Sequence, residues 1–485
     1  MAFGILNPSD GTEHVGATNL LRVDSSGDAD HALQLQKGTG KNATTVLIPQ
    51  PSNDPNDPLR WPLWQRDLMF LMYQYCTVLT VGGIGPLLSA SAAVLAKEFN
   101  VTFTQVTLLT GYNTCAVGAT GILISALSRK YGKRPGFLFS MTSVFVGSIW
   151  GGSAKSYNSL LGARVVQGLG VSMFESIIFA VVGDLYYVHE RGVRVALVTV
   201  SISGLANLPT VLSGVETTNL GWRWLFYMLG IFLGIGLVLV FLFGWETAYN
   251  RREKSTNLDL LQAEDVKDGT CAQEIENSEE EQTRAVPRKS FARRLSPFSG
   301  TYSEMPLWEM IPKPFLVLIH PAVTWATIFL AVTTAWYVVV SYVIAQIFAS
   351  PPHNLTAAQI GYMSAGPTVG ATLASVVNGL ISDPIARALA KKNHGMYEPE
   401  FRLVLIVPML VTCALGWFLF GNLIEMGKSA PVVSVVWALS SASMQFCLGA
   451  VGTYMVDAYP TISTEVFIIG MVVKNFLFFG LSCEY

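Results

Sequence analysis

Apolar residues along this chain gather in long runs separated by short polar segments, with no sustained alternation. Eleven such runs occur, at approximately 67–92, 105–127, 136–154, 159–183, 195–215, 224–245, 316–349, 357–382, 402–423, 430–456 and 465–482. A helix needs about 20 mainly apolar residues to cross the hydrocarbon core of a bilayer. Backbone groups in lipid must bond within their own segment, so the runs predict membrane-spanning helices. A transmembrane barrel would need alternating strands of about ten residues, and none is present. The seventh run is long enough to hold a tilt or a kink.

Composition agrees. Of 485 residues, 51% are hydrophobic and 13% charged, where a soluble domain carries about 25% charged residues. A net charge of −2 with no basic domain gives no reason to expect nucleic acid as a partner. The six cysteines are scattered, form no Cys-x-x-Cys and mostly lie in or beside apolar runs, so neither a disulfide framework nor a metal site is expected. No nucleophile–base pair, metal cluster or phosphate-binding loop is found, so the chain is not read as an enzyme or an ATP-driven pump.

Lysine and arginine set an orientation. With the N-terminus in the cytoplasm, the inner loops hold Arg129, Lys130, Lys133 and Arg134, then Arg191 and Arg194, then Arg387, Lys391, Lys392 and Arg402. The outer loops hold only Lys97, Lys155, Arg223 and Lys428. Glycosylation acceptors at Asn100 and Asn354 both fall outside under this assignment, and Asn42 in the N-terminal tail should stay unmodified.

Between the runs lie two polar stretches. Residues 1–66 are rich in Gly, Ser, Asn, Asp and Pro and predict a disordered cytoplasmic tail. Residues 248–315 carry an acidic run at Glu279, Glu280 and Glu281 and then basic Arg288, Lys289, Arg293 and Arg294. Such charge blocks read as a solvated cytoplasmic linker; the alternative is a regulatory or phosphorylated loop, with Ser290 and Ser296 among the basic residues. The linker divides the spans into a six-helix bundle at 67–247 and a five-span bundle at 316–485.

Three segments carry specific chemistry. The loop after span two reads Ser125-Ala-Leu-Ser128-Arg129-Lys130-Tyr131-Gly132-Lys133-Arg134, where Gly132 permits a tight turn and the cations pair with acids at helix ends. After span eight, Gly379, Asp383 and Arg387 repeat at four-residue steps. Span four opens with Arg164-Val-Val-Gln167-Gly168-Leu-Gly170. An arginine inside a span costs about 2.5–3.5 kcal/mol on insertion scales, so it should face protein or water, and the glycines let a neighbouring helix come close.

Glu175 follows Arg164 by eleven residues, nearly three α-helical turns, so one face of span four is expected to present Arg164, Gln167 and Glu175. A buried Glu can be a structural partner or a carrier of protons; a carboxyl among apolar groups binds protons more readily. Further polar residues inside apolar runs are Asn113, Asn207, Tyr337, Tyr342, Gln346, Gln445, Lys474 and Asn475. Each is a candidate for the cavity or for an interhelical hydrogen bond. Lys474, a charge near the middle of span eleven, requires a partner or water.

The loop after span two resembles the major facilitator motif Gly-x-x-x-Asp-Arg-x-Gly-Arg-Arg/Lys through Arg129, Gly132, Lys133 and Arg134, with Ser125 in place of the Gly and Ser128 in place of the Asp. The start of span four resembles that family's Arg-x-x-x-Gly-x-Gly. The stretch Asp184 to Arg194, with His189-Glu190-Arg191-Gly192, is similar to the fungal drug:proton antiporter-like facilitators. There Asp184 is an interfacial acid, or the acid that Ser128 does not supply. Span five keeps Pro209 and Gly214 of the family's antiporter motif but has Leu208 where a Gly is usual. Gly221-Trp222-Arg223-Trp224, Trp245-Glu246-Thr247 with Arg251 and Arg252, the lead-in Asp54 to Trp61 and Tyr397 to Leu403 extend the likeness over residues 54–482.

The resemblance implies an all-α membrane protein of major facilitator fold, with no cofactor and with the proton gradient as driving force. It implies proton-coupled efflux of small amphipathic organic compounds by alternating access, in contact with the lipid bilayer, the small-molecule substrate and protons. Gating is assigned to Arg129, Gly132, Lys133, Arg134, Asp184, Arg191, Asp383 and Arg387. Uptake of a cationic nutrient such as a polyamine, or a sensor without turnover, are the alternatives. The plasma membrane is the expected location, with a vacuolar membrane as the alternative. The implied fold has twelve spans against eleven here, so a product truncated before the last span is expected.

Overall fold

The computed structural model describes residues 18–19, 52, 54–205, 208–249, 290–351, 353–393, 396–459 and 462–483. Asn42, Asn207, Arg251, Arg252, Cys271, Glu279 to Glu281, Arg288 and Lys289 lie outside the described residues.

Each of the eleven apolar runs is helical. Among the described residues, nine helical stretches are long and apolar enough to cross a membrane. The other two runs are span three, Arg134–Ser153, whose serines and glycines dilute its hydropathy, and span five, built from Val188–Thr199, a π turn at Val200–Gly204 and Leu208–Asn219. Large apolar side chains such as Trp64 (68% exposed) and Phe418 (74%) point outward, while Arg134, Arg164, Gln167 and Asn113 are buried inside. Lipid, which solvates apolar groups and not charges, is the medium that favours this arrangement.

Span one runs over Leu63–Thr77 and a π turn at Val78–Ile84, then stops. It starts earlier than the run at 67–92, at Leu63, and ends earlier too, because Pro86 has no N–H to continue the helix. The tail expected to be disordered through residue 66 is ordered at its end: Pro58–Arg60 forms a 3₁₀ turn capped by Asp57, and Leu59 and Trp61 are buried. Upstream, Thr18–Asn19 pairs antiparallel with Met396–Tyr397. The end of the linker is largely exposed and carries three short helical segments, Phe291–Arg294, Leu307–Met310 and Lys313–Leu316.

Span two, Phe103–Tyr131, and span eight, beginning at Ala357–Met363, start alike. Thr102 caps the first through Gln105, and Thr356 caps the second through Gln359, each a reciprocal capping box. Asn100 and Asn354, two residues before those caps, are the two non-glycine residues with positive φ, at 53° and 49°, among the described residues. The Asn-x-Thr-x-x-Gln pattern is thus a helix-start device present once in each half. Both asparagines are exposed on the face opposite the basic loops.

Span four, Tyr157–Ser172 continued by a π turn at Met173–Ile177 and Ile178–Leu185, packs between spans two and three. Span six, Trp222–Phe243, covers span three. In the second half, span ten, Ala430–Ala458, packs between span eight (continued at Ala365–Lys392) and span nine, Ile406–Glu425. Two seams join the halves. Span eleven, Ser463–Ser482, runs antiparallel along span two and also packs on span seven, Pro321–Ala349. The start of span eight packs on span five.

Small residues make both seams possible. A Cβ on Gly118 would lie 3.3–3.5 Å from Phe476 and Asn475, and one on Gly111 would lie 3.0 Å from Ser482. At the second seam a Cβ on Gly214 would lie 2.9 Å from Cα of Gly361, with the Ala357 carbonyl still closer. Ser364, just beyond this crossing, is buried. A Ser364→Cys reporter should therefore react slowly with a membrane-impermeant thiol reagent, and several-fold faster in combination with Gly214→Leu, which wedges spans five and eight apart. Equal rates would show that the crossing does not close that face.

Candidate functional site

The polar interior is built outward from Arg164. Its fully buried guanidinium donates to the carbonyl oxygen of Ile84 at 2.9 Å, to Gln167 Oε1 at 2.9 Å, and more distantly to the Gly85 carbonyl and Thr110 Oγ1, both at 3.4 Å. The π turn ending at Ile84, followed by Pro86, frees carbonyls at the end of span one, and the arginine takes them up. Gln167 in turn donates to Ser148 Oγ at 2.9 Å, and Asn113 donates to the Arg164 carbonyl at 2.7 Å. The two glycines of the segment serve different neighbours. Gly168 faces the Asn113 carbonyl and Ala116 of span two, and Gly170 faces Ser140 and Val144 of span three. The network reaches the other bundle through Thr110, whose hydroxyl meets Tyr342 at 2.6 Å.

Glu175 belongs to a different group. It pairs with Lys474 of span eleven and accepts from Asn475 Nδ2 at 3.3 Å. Its side chain is 9% exposed. The expected single face of Arg164, Gln167 and Glu175 does not form a single site: eleven residues set Glu175 about 16 Å further along the span, on the π turn at Met173–Ile177. Arg164 therefore addresses spans one and two, while Glu175 addresses span eleven. Lys474, for which the sequence offered no partner, receives its counter-charge from the other half of the molecule.

Tyr337 and Gln445 join neither group. Gln445 is buried within the second bundle and accepts from Ser375 Oγ at 3.1 Å, and Tyr337 lies 6.1 Å from the ring of Trp437. Asn207 lies outside the described residues. Gln74 of span one is a polar residue inside an apolar run, like the candidates above, but was not among them. It is buried, and neither amide atom has a hydrogen-bond partner among the described residues.

At the basic face, Gly132 has φ 92° and sits against the Glu246 carboxylate, where any side chain would collide. Glu246 accepts from the backbone N–H of Lys133 (2.9 Å) and of Arg134 (3.0 Å), occupying the N-terminus of span three. Arg134 is buried and donates to the carbonyls of Gly244, Phe241 (2.8 Å) and Leu295 (3.2 Å). Lys133 Nζ meets Asp184 at 2.5 Å. Ser128 bonds locally to the Ser125 carbonyl; counted back from Gly132, the usual Asp position falls on Arg129, which corrects the placement at Ser128. Arg129 instead pairs across the seam with Glu465 of span eleven at 2.7 Å. Glu246 and Glu465 thus hold this loop, and neither was singled out for that role from sequence.

The remaining loop cations divide. Arg191 donates to the carbonyls of Gly183 (2.6 Å) and Tyr186 (2.9 Å), closing the end of span four. Asp67 takes Arg194 (3.1 Å) and the Tyr186 hydroxyl (2.7 Å). In the second half Asp457 takes Arg402 (3.0 Å) and the Tyr397 hydroxyl. The two halves therefore use the same trio of Asp, Arg and Tyr. Asp383 pairs with Arg402 at 2.6 Å, not with Arg387 four residues on, which is exposed at the surface.

Two bundles joined by a long linker, with buried charges at their seam, are the arrangement of a carrier. The sequence model of the Major Facilitator Superfamily matches residues 74–479. The chain belongs to this family. Its fold agrees with solved facilitator structures. The xylose transporter XylE from E. coli, in a partially occluded inward-open conformation, superposes with a TM-score of 0.51 over 86% of this chain and 92% of its own, at 14% identity. Among curated facilitators, an uncharacterized MFS-type transporter of Schizosaccharomyces pombe is 23% identical, covering 92% of this chain and 82% of that protein. The multidrug transporter DTR1 of Candida glabrata is also 23% identical, over 86% of this chain and 83% of its own length. The family is one of membrane transporters, and multi-pass insertion follows from it.

Two outcomes follow from this facilitator's geometry. Arg164→Leu removes charge-assisted hydrogen bonds worth about 1.5–3 kcal/mol each, so its thermal midpoint in detergent should fall by several degrees; an unchanged midpoint would mean that the carbonyls of span one do not need the arginine. Arg129→Glu should weaken the seam by about 0.2–1 kcal/mol, and the swap Arg129→Glu with Glu465→Arg should restore it, as a double-mutant cycle on unfolding would report.

Proposed function

We propose that this facilitator couples movement of small amphipathic organic compounds to the proton gradient, with Glu175 as the proton-binding group, and that it exports them. The observation that carries the reading is the pairing of Glu175 with Lys474 and Asn475 between the two bundles. An ion pair buried at membrane depth is held only while both charges are present. A proton on Glu175 cancels one of them and leaves Lys474 a cation in need of water. The bundles then gain by parting at this seam and hydrating the ammonium. Loss of the proton restores the pair and favours closure. A proton thus changes the relative stability of the two conformers, which is what coupling requires.

Export rather than uptake is supported by the multidrug transporter among the relatives. The basic face, with Arg129, Lys130, Lys133, Arg191 and Lys391, is assigned to the cytoplasm by the lysine and arginine bias. The Tyr342 hydroxyl, which meets Thr110 across the seam, and the Trp437 ring, which shares a cavity with Pro86 and Thr210, suit cargo that is mostly apolar with a few polar groups.

Sealed vesicles carrying wild type should show flux of such compounds that collapses with the proton gradient. Glu175→Gln should lose most of the gradient-driven component while still exchanging substrate, and Glu175→Gln with Lys474→Met should fold and behave alike. Gradient-driven flux of normal size in Glu175→Gln would move the coupling group elsewhere.

A further inference from the structure

The end of the linker is a strap laid across the basic face of the first bundle. The Tyr302 backbone N–H donates to the Lys130 carbonyl at 2.8 Å, and Lys130 Nζ donates back to the Met305 carbonyl at 3.2 Å. The Tyr302 ring would stand 3.1 Å from a Cβ at Gly132, so it closes over the turn that Glu246 holds. Burial there, with the Glu246 carboxylate beside it, pushes the Tyr302 hydroxyl up to about 12. The Leu295 carbonyl accepts from the buried Arg134 at 3.2 Å. Ahead of it, the Arg294 guanidinium lies over Trp245 at 5.0 Å and Trp61 at 5.9 Å, and Phe291 meets Trp245 edge-on at 6.5 Å. The strap therefore grips the entry to span one, the loop after span two and the exit of span six. Beyond Lys313–Leu316 it runs straight into span seven of the other bundle. Any parting of the bundles on this face has to pull against that grip.

Ser296 sits one residue beyond the Arg134 contact. It is exposed, its hydroxyl donates only to the nearby Phe298 carbonyl at 2.8 Å, and two arginines, Arg293 and Arg294, precede it at three and two residues. We propose that Ser296 is a phosphorylation site whose modification releases the strap. The two arginines suit a protein kinase with an acidic substrate groove. In the transfer, Ser296 Oγ forms a bond to the γ-phosphorus of a nucleoside triphosphate, the bond from that phosphorus to the leaving diphosphate breaks, and the hydroxyl proton passes to the kinase. The product carries nearly two negative charges and three acceptor oxygens next to exposed Arg293 and half-buried Arg294. Charge-assisted hydrogen bonds to phosphate outweigh a cation–π contact at the surface. Arg294 therefore swings off the indoles. Arg134 does not follow, because it is buried and held by carbonyls of span six. With its aromatic anchor gone, the strap loosens from the loop after span two, and the bundles part more readily.

The test uses the full-length protein in liposomes, treated with a basophilic kinase and ATP, with mass spectrometry to place the phosphate. Hydrogen exchange over residues 291–305 is then compared between treated and untreated wild type, Ser296→Ala and Arg294→Gln. Phosphate on Ser296, faster exchange of that segment in treated than in untreated wild type, no change on treating Ser296→Ala, and fast exchange in Arg294→Gln without treatment are expected. Substrate exchange across the membrane, measured without a proton gradient, should rise several-fold in parallel and stay flat in Ser296→Ala. No phosphate on Ser296, or phosphate that leaves exchange unchanged or slows it, would overturn the proposal. Because the hydrogen-exchange readout needs no transport, it stands apart from any failure of Glu175 as the coupling group.

Discussion

A carboxylate and an ammonium facing each other at membrane depth cannot both stay charged if they separate into lipid. Glu175 and Lys474 belong to different halves of the chain, 299 residues apart, and their pairing joins spans four and eleven at the centre of the seam. Around it the geometry is subordinate. Gly111 and Gly118 let span eleven lie close along span two, and Arg129 with Glu465 holds the same pair of spans at the basic face. Each contact depends on span eleven standing where Lys474 can reach Glu175.

The first bundle sets its irregularities beside its buried charges. Span four carries its π turn at Glu175, and span one carries one that ends beside Arg164's acceptors. A π turn releases backbone groups and shifts side chains around the helix axis. In one case the freed carbonyls are taken by a buried arginine; in the other an acid is turned toward the neighbouring bundle. The loop after span two makes a similar exchange. With no acid of its own between Ser125 and Arg134, it draws its carboxylates from the ends of three other spans, through Glu246, Asp184 and Glu465.

The Asn-x-Thr-x-x-Gln pattern bears on how a short motif should be read. As an acceptor for sugar it marks an outer loop. In the structure both copies place Asn in the left-handed region and use Thr and Gln as a capping box. Such chemistry selects the same residues for a helix start, so the two sequons supply a reason for their presence that needs no glycan. They also show an internal repeat, at the starts of spans two and eight, at a finer grain than the loop echo of Asp383 and Arg387.

Much of the architecture was legible in one dimension. Length and apolarity of each run report directly on the thickness of a bilayer, so the helical spans follow from counting. The importance of Arg164 was legible because a charge in an apolar run stands out against its surroundings. Partners were not legible. Which acid meets Lys474, which carboxylates hold Gly132 and Arg129, and which cation takes Asp383 depend on helices brought together from distant parts of the chain. The π turn that carries Glu175 was not legible either, because hydrophobic periodicity does not record a change in the count of residues per turn. The sequence alone determined that this protein crosses a membrane many times and carries charge within it; the tertiary structure decided where those charges meet, because a partner for a buried charge is chosen by distance in space and not by distance along the chain.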